Sequence, residues 1–242
     1  DLTINVLYFY FKKPTNSGGN PAIDSGFRFT PIFGEAYTSY CDKNGELLIF
    51  ATNMRVYNKY AEVIENRSFF PFGGPSSIMN LLLQAPESDS LFYIFYPDMV
   101  SSGVDTFPHS LHYDLIDITA NNGRGKYLSK ENLLLSTSSE RIEGIRHCNG
   151  RDWWVIAQNA LTDSFHVWSL TSSGMSQIAQ IFDSGNKNKE RKNIIIGDLK
   201  SSHSGAYLVE ATLGNRIEYP MKNSWNENSS LEVHRFDPSS GR

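Results

Sequence analysis

The sequence predicts an all-β fold, a β-propeller with about four visible blades that form part of a larger propeller. Three observations predict it. A phrase made of a polar turn, a dense apolar run, a gap and an alternating strand recurs four times. Its period is roughly 40 to 60 residues with several short strands in each, the spacing of propeller blades. Finally, runs such as Leu91 to Tyr96 and Trp153-Trp154-Val155-Ile156 do not alternate polar with apolar residues. A strand with one wet face alternates, so these strands need both faces covered, as the inner strands of stacked blades are.

Taken in order, residues 1–40 read as lead-in strands. Leu7-Tyr8-Phe9-Tyr10-Phe11 is a strand broken by Pro14 and the Gly18-Gly19-Asn20-Pro21 turn, and Gly26-Phe27-Arg28-Phe29 is another, ended by Pro31. Residues 41–242 hold the blades and form one domain with the lead-in. The first repeat has the turn Asp42-Lys43-Asn44-Gly45, the run Leu47-Leu48-Ile49-Phe50 and the strand Met54-Arg55-Val56-Tyr57. A long connection, Phe69 to Ser77, leads to the second: Glu87-Ser88-Asp89-Ser90, Leu91 to Tyr96, then Leu111-His112-Tyr113-Asp114-Leu115. The third has Asn149-Gly150-Arg151-Asp152, Trp153 to Ala157, and Phe165-His166-Val167-Trp168. Its fourth strand is expected at Ser176 to Ile181, after a hairpin turn at Ser173-Gly174. A polar segment from Ser184 to Asn193, with Lys187, Lys189, Arg191 and Lys192, reads as a solvated loop. The fourth repeat has Ser202-His203-Ser204-Gly205, Ala206 to Val209, and Leu231 to Phe236, followed by the turn Asp237 to Arg242. With no fourth strand after that turn, the natural protein is expected to continue beyond Arg242. No segment keeps a 3.6-residue apolar period over about ten residues, so helix is expected to be scarce. Lys130-Glu131-Asn132-Leu133 is expected to make one helical turn at most.

Composition narrows the function classes. The 242 residues are 40% hydrophobic, ample for a buried core, and 13% aromatic, which suits pleated surfaces. The net charge of −4 with no basic stripe argues against nucleic acid as a partner. No apolar stretch approaches the ~20 residues of a membrane span. The chain starts at Asp1 and is expected to be a mature or trimmed product, so an export signal would not be visible. The sequons Asn66-Arg67-Ser68 and Asn228-Ser229-Ser230 read as plain loop. The two cysteines, Cys41 and Cys148, fall at equivalent places in the first and third repeats. Such places lie beyond the ~7 Å reach of a disulfide, so two unpaired, mostly buried thiols are expected.

The run Gly144-Ile145-Arg146-His147-Cys148-Asn149-Gly150-Arg151-Asp152-Trp153-Trp154-Val155-Ile156-Ala157 resembles a phrase of one family. So do Asn44 to Phe50 with Val56-Tyr57-Asn58, Ser90 to Phe95, Leu111-His112-Tyr113 and Phe236 to Gly241. Together they resemble the N-terminal β-propeller of large bacterial cell-surface proteins exported by the type IX secretion system, many of which carry a gliding-motility-type sorting domain. The resemblance covers roughly residues 5–242, and Asn-Gly-Arg-Asp-Trp-Trp is its most specific part. It implies a secreted or cell-surface repeat module without known catalytic residues; a sorting domain would lie beyond Arg242. Asp89-Ser90-Leu91 also resembles the O-glycosylation triplet of such bacteria.

A search for chemistry finds no zinc helix, paired-cysteine motif or nucleophile elbow. Gly73-Gly74-Pro75-Ser76-Ser77 lacks the lysine of a phosphate loop and reads as a connector. His109 and His112, near Asp105 and Asp114, read as a polar loop and a strand face rather than a metal site. His147 next to Cys148 is a poor pair, because neighbours in a strand point to opposite faces. His166 and His234 occupy near-equivalent strand positions and are expected to be satisfied by neighbours. Asp42, Asn44 and Glu46 fit a β-turn better than a calcium loop. Glu143 and Asp198, on first strands, are the candidate carboxylate pair if the propeller is a glycan hydrolase. No residue is assigned as catalytic, cofactor-binding or metal-ligating, and no cofactor is expected. The sequence is therefore expected to be a non-catalytic propeller module of an exported cell-envelope protein, extracellular or on the cell surface, with periplasm or outer-membrane association as the alternative, and binding protein or glycan. The alternatives are a propeller-fold glycan hydrolase or lyase, and a scaffold subunit of a secretion or gliding complex.

Overall fold

The computed structural model describes residues 37–52, 55–65, 80–98, 109–185, 197–212 and 230–242. The expected lead-in strands, the Phe69–Ser77 connection with its Gly73-Gly74 pair, Met54, Asp105, the basic run from Lys187 and the sequon asparagines lie outside the described residues.

The fold is all-β and antiparallel. A first sheet joins β1 (Tyr37–Cys41), β2 (Leu47–Thr52) and β3 (Val56–Asn58). A large sheet runs from β4 (Leu81–Gln84) through β5 (Leu91–Asp98), β6 (His109–Asp117), β7 (Lys126–Arg146) and β8 (Trp153–Asn159) to β9 (Ser164–Thr171). Both β10 (Gly174–Met175) and β11 (Gln180–Asp183) pair with β9. A last sheet joins β12 (Gly197–Ser201), β13 (Tyr207–Thr212) and β14 (Ser230–Arg235). Helix is confined, among the described residues, to one turn, Ala120–Gly123, in which Asn121 and Asn122 are left-handed at φ 53 and 57. No helix of the described residues is long and apolar enough to cross a membrane.

Two local expectations are corrected. Lys130 to Leu133 is not helical but part of β7. The backbone there is bulged, with Glu131 at φ 58. Its N–H donates to Asp114 Oδ1 at 2.7 Å, and Asn132 Nδ2 donates to Tyr113 O at 3.0 Å. Pairing with β6 thus satisfies groups that a helical turn would have left open. Ser176 to Ala179 is likewise outside any strand; the outer strand begins at Gln180. Ser176 still bonds Ser169 through its N–H and its hydroxyl. The chain then loops out, leaving Ile178 83% exposed, before β11 pairs with β9 from Gln180 opposite Val167.

Strand β7 organises the large sheet. Its first part pairs with β6 up to Ser138, and its second part, from Ser138 to Arg146, pairs with β8. One strand therefore ends one group of strands and starts the next. The two groups face each other: Leu83, Tyr93, Phe95 and Leu111 share a core with Ile142, Val155, Ala157 and Leu170. The described strands thus form four layers: β1–β3; β4–β6 with the start of β7; the end of β7 with β8–β11; and β12–β14.

Among the described residues, three cores separate these layers. Ile49, Ala51 and Val56 of the first meet Phe92, Ile94 and Tyr96 of the second. Along β5, Phe92, Ile94 and Tyr96 point to one core and Tyr93 and Phe95 to the next. Along β8, Val155 and Ala157 face the second layer, while Trp154 and Ile156 face Leu199, Leu208 and Phe236 of the fourth. This is why neither run alternates: the side chains of each strand enter two cores in turn. The first strands of the layers also touch in order, β1 with β4, β4 with β7, and β7 with β12. Gly144 permits one of these approaches, since a Cβ there would sit 2.9 Å from the Leu83 side chain.

Adjacent tryptophans tie the layers by hydrogen bonds as well as packing. Trp153 Nε1 donates to Gln84 O of the second layer at 3.0 Å, and Trp154 Nε1 donates to Pro238 O, beyond β14, at 2.9 Å. A buried indole needs such a partner. The turn that receives Trp154 is closed by Asp237, whose carboxylate accepts from the Ser239 N–H and hydroxyl and from the Ser240 hydroxyl. The hydrogen bonds from Ser239 and then Ser240 hold the Asp237 carboxyl down to about 2, from an ordinary 3.8. A depressed carboxyl stabilises the fold above its unfolded value, and that contribution is lost as pH falls through the folded one. Asp237→Asn is therefore expected to flatten the stability curve between about pH 4 and pH 2, measured by urea unfolding at several pH values. An unchanged slope would show that this turn forms without the carboxylate.

Candidate functional site

Two charged clusters lie between the third and fourth layers. The first sits where β7 and β12 meet. Glu143 points from β7 toward β12, where Ser201 Oγ donates to its Oε1 at 3.3 Å. Lys200 Nζ lies 3.8 Å from Glu143 Oε2 and 3.5 Å from Asp198 Oδ1. Lys200 and Asp198 are two apart on one strand, so they share a face. Burial pushes the Glu143 carboxyl above its ordinary value, although Lys200 and the Ser201 hydroxyl pull the other way. The two carboxylates singled out from sequence thus gather on one ammonium. A lysine between them offsets their charge.

The second cluster was not read from the sequence. Arg141, only 1% exposed, crosses from β7 to form an ion pair with Glu210 Oε1 on β13. Glu210 Oε2 lies 3.2 Å from His234 Nε2 on β14. Directly opposite Glu210 in the ladder is Glu232, two residues before His234. The turn after β8 adds Asp163, whose Oδ1 accepts from Gln158 Nε2 at 2.6 Å and whose Oδ2 accepts from Ser184 at 3.0 Å. Gln158 is fully buried, and its Oε1 has no hydrogen-bond partner.

The electrostatics follow from this placement. Burial alone would raise Glu210, but the hydrogen bond with His234 and the Arg141 charge outweigh it and hold the carboxyl below its ordinary value. The bond to Glu210 raises His234 against the opposing effect of burial, and the charges of Glu210, Glu232 and Asp163 add to the rise. Asp163 is raised, first by burial and further by Glu210 and Glu232. Glu210, Glu232 and His234 are the one group of three His, Cys, Asp or Glu residues among those described that bring ligand atoms together.

Other sequence candidates are local. Asp42 Oδ1 accepts from the N–H groups of Asn44 and Glu46 at 2.8 and 2.9 Å, so this acidic turn is closed on itself. Asp114 is buried and accepts from Tyr96 and Glu131, while the His112 ring stacks near Tyr96 at 6.1 Å. His166 is 3.3 Å from Ser164 Oγ, and burial lowers it. The thiols are free but exposed, not buried: Cys41 ends β1 beside a polar turn, and Cys148 lies within one. The turn also overrides strand alternation, bringing Cys148 Sγ to 3.7 Å from His147 Nδ1. That nitrogen already accepts the Asn149 N–H at 3.0 Å.

Only His234 of this cluster was singled out from sequence, and it is satisfied by a neighbour as expected, Glu210. The others had a faint signal: Glu232 alternates with Leu231 and Val233, and Glu210 interrupts an apolar strand. Alternation alone would turn the apolar side inward. Instead, the apolar side is the open one, with Leu231 70% and Val233 64% exposed, while Glu210 is buried. No family model, curated protein or solved structure matches the chain.

Proposed function

We propose that the chain is a β-propeller module of an exported bacterial cell-envelope protein, and that it binds protein or glycan rather than turning over a substrate. The observation that carries the propeller reading is the chain path. Each layer begins with a strand that touches the first strand of the next, and β7 closes one layer before opening another. Wedge-shaped sheets leaning about an axis require that path, with the first strands innermost and both faces of the inner strands covered. The apolar face of β13 and β14, with Tyr207, Leu231 and Val233 exposed, is where a further sheet would lean.

Binding fits the distribution of polar groups. The turns joining the first two strands of the layers (Asp42–Glu46, Ala85–Ser90, His147–Asp152 and Ser202–Ala206) follow the same step of the path. Propeller modules present such loops as a composite face. Two of these turns are linked directly: Arg151 Nη1 is 2.8 Å from Glu87 Oε1. Export and surface placement rest on the Asn149 to Trp154 phrase, whose residues close the turn and anchor both neighbouring layers.

A glycan hydrolase is the second reading, favoured by one observation: the raised Glu143 carboxyl near Asp198. The purified chain, tested on a glycan array, in envelope pull-downs and against the captured glycans for cleavage, separates the two. The binding reading expects capture without turnover, and capture retained in Glu143→Gln. Cleavage that disappears in Glu143→Gln would replace it with the hydrolase. Absence of capture on both platforms would refute the binding function.

A further inference from the structure

We propose that Glu210, Glu232 and His234 bind a divalent transition-metal ion of zinc-like character between the third and fourth layers. This site is independent of the function proposed above, and the sequence alone assigned no metal to the chain.

Geometry comes first. Glu210 Oε2 and His234 Nε2 are 3.2 Å apart. Two ligands on tetrahedral zinc, with bonds of about 2.0 Å, stand roughly 3.3 Å apart. One ligand atom from each of the three residues lies within 4.8 Å of the others. The remaining closure falls to Glu232, which stands on β14, less buried than β13. The ladder fixes the frame, because Glu232 is opposite Glu210 and His234 follows two residues later on the same face.

Charge supplies a second, separate argument. Like charges directly opposite in a ladder are unfavourable, more so where one is 3% exposed. Arg141 meets Glu210 at Oε1, while Oε2 turns to His234. Glu232 and Asp163 add two more carboxylates to the same locale. A divalent ion seated on Oε2 would offset that gathering of negative charge, with Arg141 fixing the orientation of the ligating carboxylate.

The unpartnered oxygen of Gln158 is the third observation. It is fully buried, on a side chain whose amide adjoins both Asp163 and Glu210. It is an acceptor without a donor, on the same amide that reaches the cluster through its nitrogen. The ligand set selects the metal class. Imidazole with two carboxylates suits zinc and its neighbours, whereas calcium takes 6–8 oxygens.

The test uses the full 242-residue chain, dialysed against EDTA and then titrated with zinc chloride by calorimetry. One ion per chain is expected. Glu232→Gln and His234→Gln should each weaken binding at least about tenfold, while Cys148→Ser should leave it unchanged. Cobalt(II) added to the unaltered chain should give the visible d–d bands of a low-coordinate site, a readout that does not depend on any variant folding. No heat and no cobalt bands would overturn the proposal. So would zinc affinity indifferent to both ligand substitutions, or zinc binding lost in Cys148→Ser, which would place the ion at the exposed His147–Cys148 turn.

Discussion

Trp154→Ala is expected to lower the free energy of unfolding by about 3–5 kcal/mol, read from urea melts. On a chain of this size, each kcal/mol shifts Tm by roughly 2–4 °C. The effect is large because three contacts meet in one side chain. The ring is 7% exposed within the core shared by Ile145, Ile156, Leu208 and Phe236. Its indole N–H donates to Pro238 O. Its six-membered edge fills the space over Gly241, whose missing Cβ would stand 2.9 Å away, at a φ of +74 that favours glycine. Truncation opens a cavity between the third and fourth layers and removes the tie to the C-terminal turn. Trp154→Phe keeps most of the volume and should cost distinctly less, and Pro238 O keeps its second donor, the Cys148 N–H at 3.1 Å. A loss under about 1 kcal/mol for the alanine variant would mean the fourth layer is not docked on this residue.

Arg141→Met is the second large effect, expected to cost about 3–5 kcal/mol when measured in EDTA. The guanidinium is 1% and its Glu210 partner 4% exposed at the side chain. Removing the arginine leaves the Glu210 carboxylate with His234 as its remaining charged partner between two layers, with Glu232 opposite and Asp163 nearby. Desolvation makes that imbalance costly, not the lost attraction alone. The double variant Arg141→Met, Glu210→Gln should therefore recover much of the loss, since no charge remains at Glu210. Equal losses in single and double variants would show that the pair contributes packing rather than charge compensation.

Much of the architecture was legible in short-range pattern. The turns at Asp42–Gly45, Asn149–Asp152 and Ser202–Gly205 carry residues whose side chains close their own backbones. The apolar runs after them are β2, β8 and β13, and β5 follows the Glu87–Ser90 turn in the same way. Period-2 reasoning also anticipated double coverage of β5 and β8. It failed where backbone geometry departs from the ideal strand: at the bulged Glu131 and at the excursion through Ile178. It failed again at Cys148, where a turn cancels alternation and exposes the thiol.

The clusters divide along the same line. Glu143 and Asp198 were found because first strands could be counted, although Lys200 between them was not foreseen. Arg141, Glu210 and Asp163 were invisible, since each comes from a different stretch and a charged residue in a strand reads as facing water. On β14 the apolar Leu231 and Val233 point outward, so the pattern of that strand does not mark its charged side as the packed one.

Local rules in this chain determined what one strand and one turn can be: where polar side chains close the backbone, and which ribbons carry grease on both sides. Which ribbon meets which, that β7 serves two layers, and that an arginine and two glutamates share a half-dry seam were decided only when the layers came together. The reason is range. Turn chemistry and pleat alternation act over a few residues, whereas burial and ion pairing depend on neighbours some 69 positions away, as Arg141 and Glu210 are.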